Sequence, residues 1–140
     1  MSVTFQRSLL GLALVHLVAF AIFWGMQLRE AQGFVLADGV SPIGGDFINL
    51  WTAGRMVLEG LSADIYDPSR FMELQQQRIG AHIGHRLWAY PPHSLALAVP
   101  FGAPGYFTAL VLWSLLGLAA LGFGARKAGM SGWRTAILLL

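Results

Sequence analysis

GGDFINLWTAGRMVLEG, residues 44–60, is the stretch on which the reading of this chain turns. From Asp46 onward, Phe47, Leu50, Trp51, Gly54 and Leu58, with Leu61 just beyond, recur at the i, i+3, i+4, i+7 spacing of one helical face. Asn49, Thr52, Arg55 and Glu59 fall elsewhere on the wheel, so the pattern predicts an amphipathic helix laid on apolar surface. Gly44 and Gly45 permit a sharp turn before it, Gly60 suits a left-handed stop after it, and Arg55 and Glu59 are spaced as an i, i+4 pair. A carboxylate, that of Asp46, is left at the helix start.

Composition gives this helix its setting. Of 140 residues, 56% are hydrophobic and 11% charged, with a mean hydropathy of +0.60, which is too apolar for an ordinary soluble domain and implies an all-α integral membrane protein. There is no cysteine, which excludes disulfides, thiolate metal sites and thiol nucleophiles. A net charge of +2 gives no argument for a nucleic-acid partner. All seven acidic residues lie between Glu30 and Glu73, so polar chemistry is confined to one connection.

Upstream of that connection, Ser8 to Leu28 is an apolar run of the length that spans a bilayer, flanked by Arg7 and Arg29, with Trp24 near one end as an interfacial anchor. A cleaved signal peptide is the rival reading, against which stands the lack of a small-x-small site directly after the run. His16 inside the span is either functional or a neutral side chain bonded to a neighbouring helix. Residues 29–90 form a connection of about 60 residues, longer than a structureless loop should be, and are expected to carry their own short helices. After the Asp46 helix, a second should begin with Asp67 as N-cap and Pro68 at the first helical position, and end near Arg78 to Gly80. Phe71, Leu74 and Ile79 would be its apolar contacts, whereas Gln75, Gln76, Gln77 and Arg78 prefer water.

Beyond Tyr90-Pro91-Pro92 the chain turns apolar again. Residues 92–101 should form a short helix, either a half-membrane helix or one arm of a hairpin, broken by Pro100 and by Gly102-Ala103-Pro104-Gly105. Residues 106–125 form a second complete span followed by Arg126 and Lys127, with Ala120 and Gly124 spaced for close helix packing. Residues 133–140 read as the opening of a further helix, which leads to the expectation that the chain is the amino-terminal part of a longer protein.

These pieces, in order, carry a resemblance: a first membrane helix, Gly45-Asp46-Phe47 opening a helix, Ala53-Gly54-Arg55, Leu58-Glu59-Gly60, Ile65-Tyr66-Asp67, then Tyr90-Pro91-Pro92 with Pro100 and Pro104 after it. The set resembles the amino-terminal part of the family 87 glycosyltransferases, multi-spanning enzymes of the GT-C superfamily that are similar to polyprenyl-phosphate-mannose-dependent mannosyltransferases. The resemblance covers roughly residues 7–126, and family members have many more membrane helices than this chain. It implies a GT-C-like portion whose first loop, residues 29–90, faces the non-cytoplasmic side of a bacterial inner membrane in the cell envelope. It also implies an inverting hexosyl transfer, mannosyl by family, from a polyprenyl-phosphate sugar to a lipid or glycan acceptor, with no other cofactor. Asp46 matches the acidic residue that would act as general base. Arg55, Tyr66, Arg86, Tyr90 and His93 are the candidates for substrate binding, the two arginines and the histidine for phosphate. Membrane lipids and the remaining helices of a longer chain, or partner membrane subunits, are the implied partners. Because three spans cannot wall a donor site, the 140-residue chain alone is expected to be inactive.

Two alternatives stand beside this. Asp46 is also a common N-cap residue, and the whole chain could be a non-enzymatic membrane subunit that packs against partner helices. His82-Ile83-Gly84-His85 spells the nucleotide-binding tetrapeptide of class I aminoacyl-tRNA synthetases, but it lies between membrane segments rather than in a soluble strand-turn-helix. Those histidines with His93 lack the carboxylates or thiolates that would support a metal site, and no metal is expected.

Overall fold

The computed structural model describes residues 15, 18–23, 25, 26, 28–31, 33–36, 38–80, 83, 84 and 86–127. His16, Trp24, His82, His85 and the segment 133–140 lie outside the described residues. The chain divides into two compact units, one formed by Glu30–Ser114 and the other by Met1–Arg29 with Leu115–Leu140. The described residues are mostly helical. The helices include α1 (Phe47–Leu58), α2 (Pro68–Ile79), α3 (Leu95–Gly102) and α4 (Tyr106–Lys127), with 3₁₀ turns at Ser62–Tyr66 and Pro92–Ser94. Among these residues the only β feature is one isolated antiparallel bridge between Val35 and Pro42.

In the Glu30–Ser114 unit, α1 is the element about which the others pack. Its end is set by Gly60, whose φ of +78° lets the chain reverse: the Gly60 N–H reaches the Val57 carbonyl at 3.1 Å and the Leu61 N–H the Met56 carbonyl at 2.8 Å. This is a Schellman closure, which satisfies two carbonyls of the last turn. The 3₁₀ turn Ser62–Tyr66 then leads to Asp67, whose carboxylate accepts from the Arg70 N–H at 3.0 Å while Pro68 fills the first helical position of α2. Gly80, at φ +65°, closes α2.

The expectation of a one-sided α1 is corrected by the packing. Phe47, Ile48, Asn49, Trp51, Thr52, Ala53, Gly54 and Met56 are all buried, whereas Leu58, assigned to the apolar face, is 51% exposed. The reason is that α1 is covered from two directions. Phe47, Ile48 and Trp51 join Phe101, Tyr106 and Ala109 in one cluster; Ala53 and Met56 join Ile65, Phe71, Leu74, Trp88 and Ala98 in another. Asn49 and Thr52 are tolerated inside because Gln75 of α2 donates from Nε2 to Asn49 Oδ1 at 3.1 Å and reaches Thr52 Oγ1 at 3.5 Å. Gln75 is therefore also corrected, from a residue that prefers water to a buried one, 1% exposed.

Where α1 crosses α3 the contact is backbone on backbone. A Cβ on Gly54 would lie 2.1 Å from the Ala98 carbonyl oxygen, and one on Gly102 would lie 2.2 Å from the Gly54 carbonyl carbon. Such an approach is open only to glycine. It lets α1 cap the break after α3: Trp51 Nε1 donates to Pro104 O at 3.1 Å, and Arg55 Nη1 to the carbonyls of Gly102 and Ala103, each at 3.2 Å. At eight residues α3 rises only about 12 Å, short of the roughly 30 Å of a bilayer's hydrocarbon.

In α4, one helix long and apolar enough to cross a membrane, only 6% of the most apolar window is buried. Val111, Leu112, Leu115, Leu116, Leu118, Leu121 and Phe123 are exposed along it, an apolar surface that water does not favour. Gly117, Gly122 and Gly124 meet nothing within 4 Å, so the close packing expected at Ala120 and Gly124 is not present among the described residues; it occurs instead at Gly54, Ala98 and Gly102. In the other unit, the described residues between 15 and 29 are helical and exposed. The expected first span, 8–28, lies partly outside the described residues, and among those described α4 alone meets the length and apolarity of a membrane span.

Candidate functional site

Gly44 and Gly45, both at positive φ (+90° and +58°), turn the chain into α1 and place Asp46 at its first corner. Asp46 does not cap. Its backbone is in the right-handed helical region at φ −71° and ψ −7°, and its side chain makes no cap hydrogen bond. Its carboxylate instead pairs with Arg86: Nη1 of Arg86 lies 2.5 Å from Asp46 Oδ1. The Asp46 side chain is 76% exposed and that of Arg86 27%, so the pair is at the surface with its basic partner the more sheltered.

Beside this pair lies a pocket of about 290 Å³ lined by Asp46, Phe47, Leu50, Trp88, Tyr90, Ser94, Leu97 and Trp113. Each wall has a distinct origin. Phe47 and Leu50 come from the first turn of α1, Trp113 from α4, Leu97 from α3, and Trp88 and Tyr90 from the irregular segment that leads into the prolines. The Trp88 and Tyr90 rings meet at 4.9 Å and 60°, and Trp113 closes the far side against Phe101 at 5.2 Å. Trp88 Nε1 is buried and has no hydrogen-bond partner among the described residues. A polar recess of similar volume, lined by Asp46, Asn49, Arg86, Leu87, Ala89 and Tyr90, shares Asp46 and Tyr90 with the pocket.

Of the candidates, the structure brings Asp46, Arg86 and Tyr90 together. Tyr66 is one step removed: its hydroxyl donates to the Tyr90 carbonyl at 3.2 Å and so holds the segment that carries Tyr90. His93 is exposed in the 3₁₀ turn Pro92–Ser94, beside Ser94 of the pocket wall but not itself lining it. Arg55 is elsewhere. Nine residues along α1 from Asp46, about 13 Å of helical rise, it binds the carbonyls of Gly102 and Ala103 and pairs with Glu59 at 3.3 Å. Sequence reading missed Trp88 and Trp113 as pocket walls. Aromatic residues near membrane boundaries read as anchors, and nothing in their spacing links positions 25 apart to one cavity.

Asp38 adds a second carboxylate to the neighbourhood. The Ser41 side chain and backbone and the Val40 N–H hold its carboxyl below the usual carboxylate range, with a small contribution from the Arg86 charge. No three His, Asp or Glu side chains gather as a metal site among the described residues. The site can hold an amphipathic molecule: an apolar, aromatic cavity, with a carboxylate and a guanidinium at its mouth. No protein-family model matches the chain, and no curated protein or solved structure matches it.

Proposed function

We propose that this chain is the part of a membrane glycosyltransferase that supplies the catalytic base and one wall of the donor site, with further helices, from a longer chain or from partner subunits, supplying the rest. The observation that supports this reading is the state of Asp46, a carboxylate that makes no cap bond and faces solvent at the rim of an aromatic pocket. The donor is a polyprenyl-phosphate hexose, mannose by family resemblance, and the acceptor a lipid or glycan hydroxyl. The lipid phosphate is already a good leaving group and needs no acid. In the transfer step Asp46 takes the proton of the acceptor hydroxyl as that oxygen bonds to the anomeric carbon. The bond from that carbon to the phosphate oxygen breaks on the opposite face, and its electron pair leaves with the phosphate, inverting the centre. Aromatic faces such as Tyr90 and Trp113 suit the sugar ring or the first prenyl units. Two of the other candidates act indirectly, Tyr66 by holding Tyr90 and Arg55 by holding the α1–α3 crossing. The protein lies in the membrane with residues 29–90 on the non-cytoplasmic face.

Transfer of labelled mannose from a polyprenyl-phosphate donor, by membranes carrying the protein as its gene encodes it, tests the reading. Asp46→Asn should lower the rate by about 10² to 10⁴, the usual cost of losing a general base. Asp67→Asn, at a residue whose carboxylate only caps α2, should leave it near wild type. Equal rates in wild type and Asp46→Asn would remove Asp46 from the mechanism. Donor-independent co-purification with partner helices, without any transfer, would favour the non-enzymatic subunit.

A further inference from the structure

Arg86 meets Asp46 through a single nitrogen on a single carboxylate oxygen. A guanidinium carries five N–H donors in a planar fork, and no other hydrogen bond of Arg86 is made among the described residues. The guanidinium thus keeps most of its donors for something else. It borders the polar recess that shares Asp46 and Tyr90 with the apolar pocket, so a molecule lying in both would present its charged end to Arg86 and its apolar body to Phe47, Leu97 and Trp113.

We propose that the Asp46–Arg86 pair is an exchangeable latch: a phosphate group borne on an apolar body takes the Arg86 guanidinium and so frees the Asp46 carboxylate. This rests on the reading of Asp46 as the base, and it adds when that base becomes available. The exchange has a clear direction. A phosphate offers more charge than a carboxylate and three oxygens to the fork, and it bonds bidentately where Asp46 bonds through one oxygen. The carboxylate it displaces is already mostly in water, so its release needs little desolvation or rearrangement. No covalent bond changes in this step. Paired, Arg86 holds the Asp46 carboxylate; with a phosphate on Arg86, Asp46 is free to accept a proton from a hydroxyl. Arg86 is accordingly a phosphate ligand and a positioning residue for Asp46. Asp38, the other carboxylate that feels the Arg86 charge, is held in its own turn by Val40 and Ser41 and does not compete for it.

The test needs neither sugar nor acceptor, so its failure is separable from failure of the transfer reading. The protein in phosphatidylcholine nanodiscs is titrated calorimetrically with dodecyl phosphate and with inorganic phosphate. Dodecyl phosphate should bind, and inorganic phosphate at least tenfold more weakly because it lacks the apolar body. Arg86→Gln should weaken dodecyl phosphate binding tenfold or more, and Arg86→Lys should recover part of it. The discriminating variant is Asp46→Asn, at an exposed position where folding is not at stake: removal of the internal competitor should tighten dodecyl phosphate binding about threefold or more. A purely structural ion pair gives unchanged or weaker binding in Asp46→Asn, and that result overturns the latch. Equal binding of inorganic and dodecyl phosphate would overturn the apolar part of the ligand.

Discussion

Gly54 and Gly102 lie backbone against backbone at the crossing of α1 and α3, with no space for a methyl group on either. Each would drive a Cβ into main-chain atoms of the other helix, which cannot rotate aside as a side chain can. Gly54→Ala and Gly102→Ala should each cost about 1 to 3 kcal/mol or more, lowering the thermal midpoint followed by circular dichroism in detergent. Gly117→Ala in α4 is the control: nothing lies within 4 Å of it and alanine favours a helix, so stability should hold or rise. Retention of the wild-type midpoint by Gly54→Ala would show that the helices do not cross this closely.

The crossing was legible in the chain, though at a different place from where the spacing rule was applied. Ser94, Ala98 and Gly102 repeat a small residue every fourth position, the same pattern as Ala120 and Gly124, but the prolines in this short segment read as a break and mask the packing face. Helix ends were easier. Asp67-Pro68, Gly60 and Gly80 act through local backbone geometry, which sequence encodes directly.

Asn49, Thr52 and Gln75 show where such reading stops. Each is polar, so a helical wheel puts it outward; inside, Gln75 Nε2 donates to Asn49 Oδ1 and reaches Thr52 Oγ1. Burial by mutual pairing between positions 23 and 26 residues apart leaves no periodic mark. Gln75→Leu alone should destabilise by about 1 to 3 kcal/mol, because Asn49 loses its donor in a buried setting. Asn49→Leu combined with Gln75→Leu should recover much of that loss, since both partners become apolar. Denaturant unfolding of the two single variants and the double variant measures the coupling, and strict additivity would contradict the buried pair.

The two aspartates at helix starts should separate by stability. Asp67→Ala removes a cap bond and should cost about 1 kcal/mol. Asp46→Ala removes only an exposed ion pair, worth roughly 0 to 1 kcal/mol, and no cap bond. Matched unfolding curves for these variants check it, and a loss at Asp46 as large as at Asp67 would restore the capping role that the sequence allowed. The site itself was legible only one residue at a time. Asp46 and Arg86 are 40 positions apart and meet because residues 86–90 pack beside the start of α1.

Asp38 supplies a prediction in pH. Hydrogen bonds from the Ser41 side chain first, then from the Ser41 and Val40 backbone, keep its carboxyl ionised to lower pH than usual. A depressed folded value means that this contribution to stability is present above the unfolded carboxylate range, near pH 4, and is lost as pH falls through the folded value. Ser41→Ala should raise the Asp38 midpoint toward the ordinary value in a carboxyl-detected NMR titration. A midpoint unmoved by that substitution would remove the Ser41 hydroxyl as the main cause.

Orientation in the membrane is the remaining prediction, and it follows from the proposed function rather than from charge. The positive-inside rule is weak here, since the connection of residues 29–90 is long enough to be translocated regardless of nearby arginines. A sugar-transfer site of the proposed kind works on the non-cytoplasmic face, so residues 29–90 must lie outside. The chain has no cysteine, which makes a single introduced one a clean probe. Ser69 is exposed in the first turn of α2 and away from the pocket, so Ser69→Cys should leave the fold intact. In intact cells it should react with a membrane-impermeant maleimide without permeabilisation. Reaction only after the inner membrane is opened would put Asp46 and its pocket on the cytoplasmic side, where a polyprenyl-phosphate sugar facing outward could not reach them.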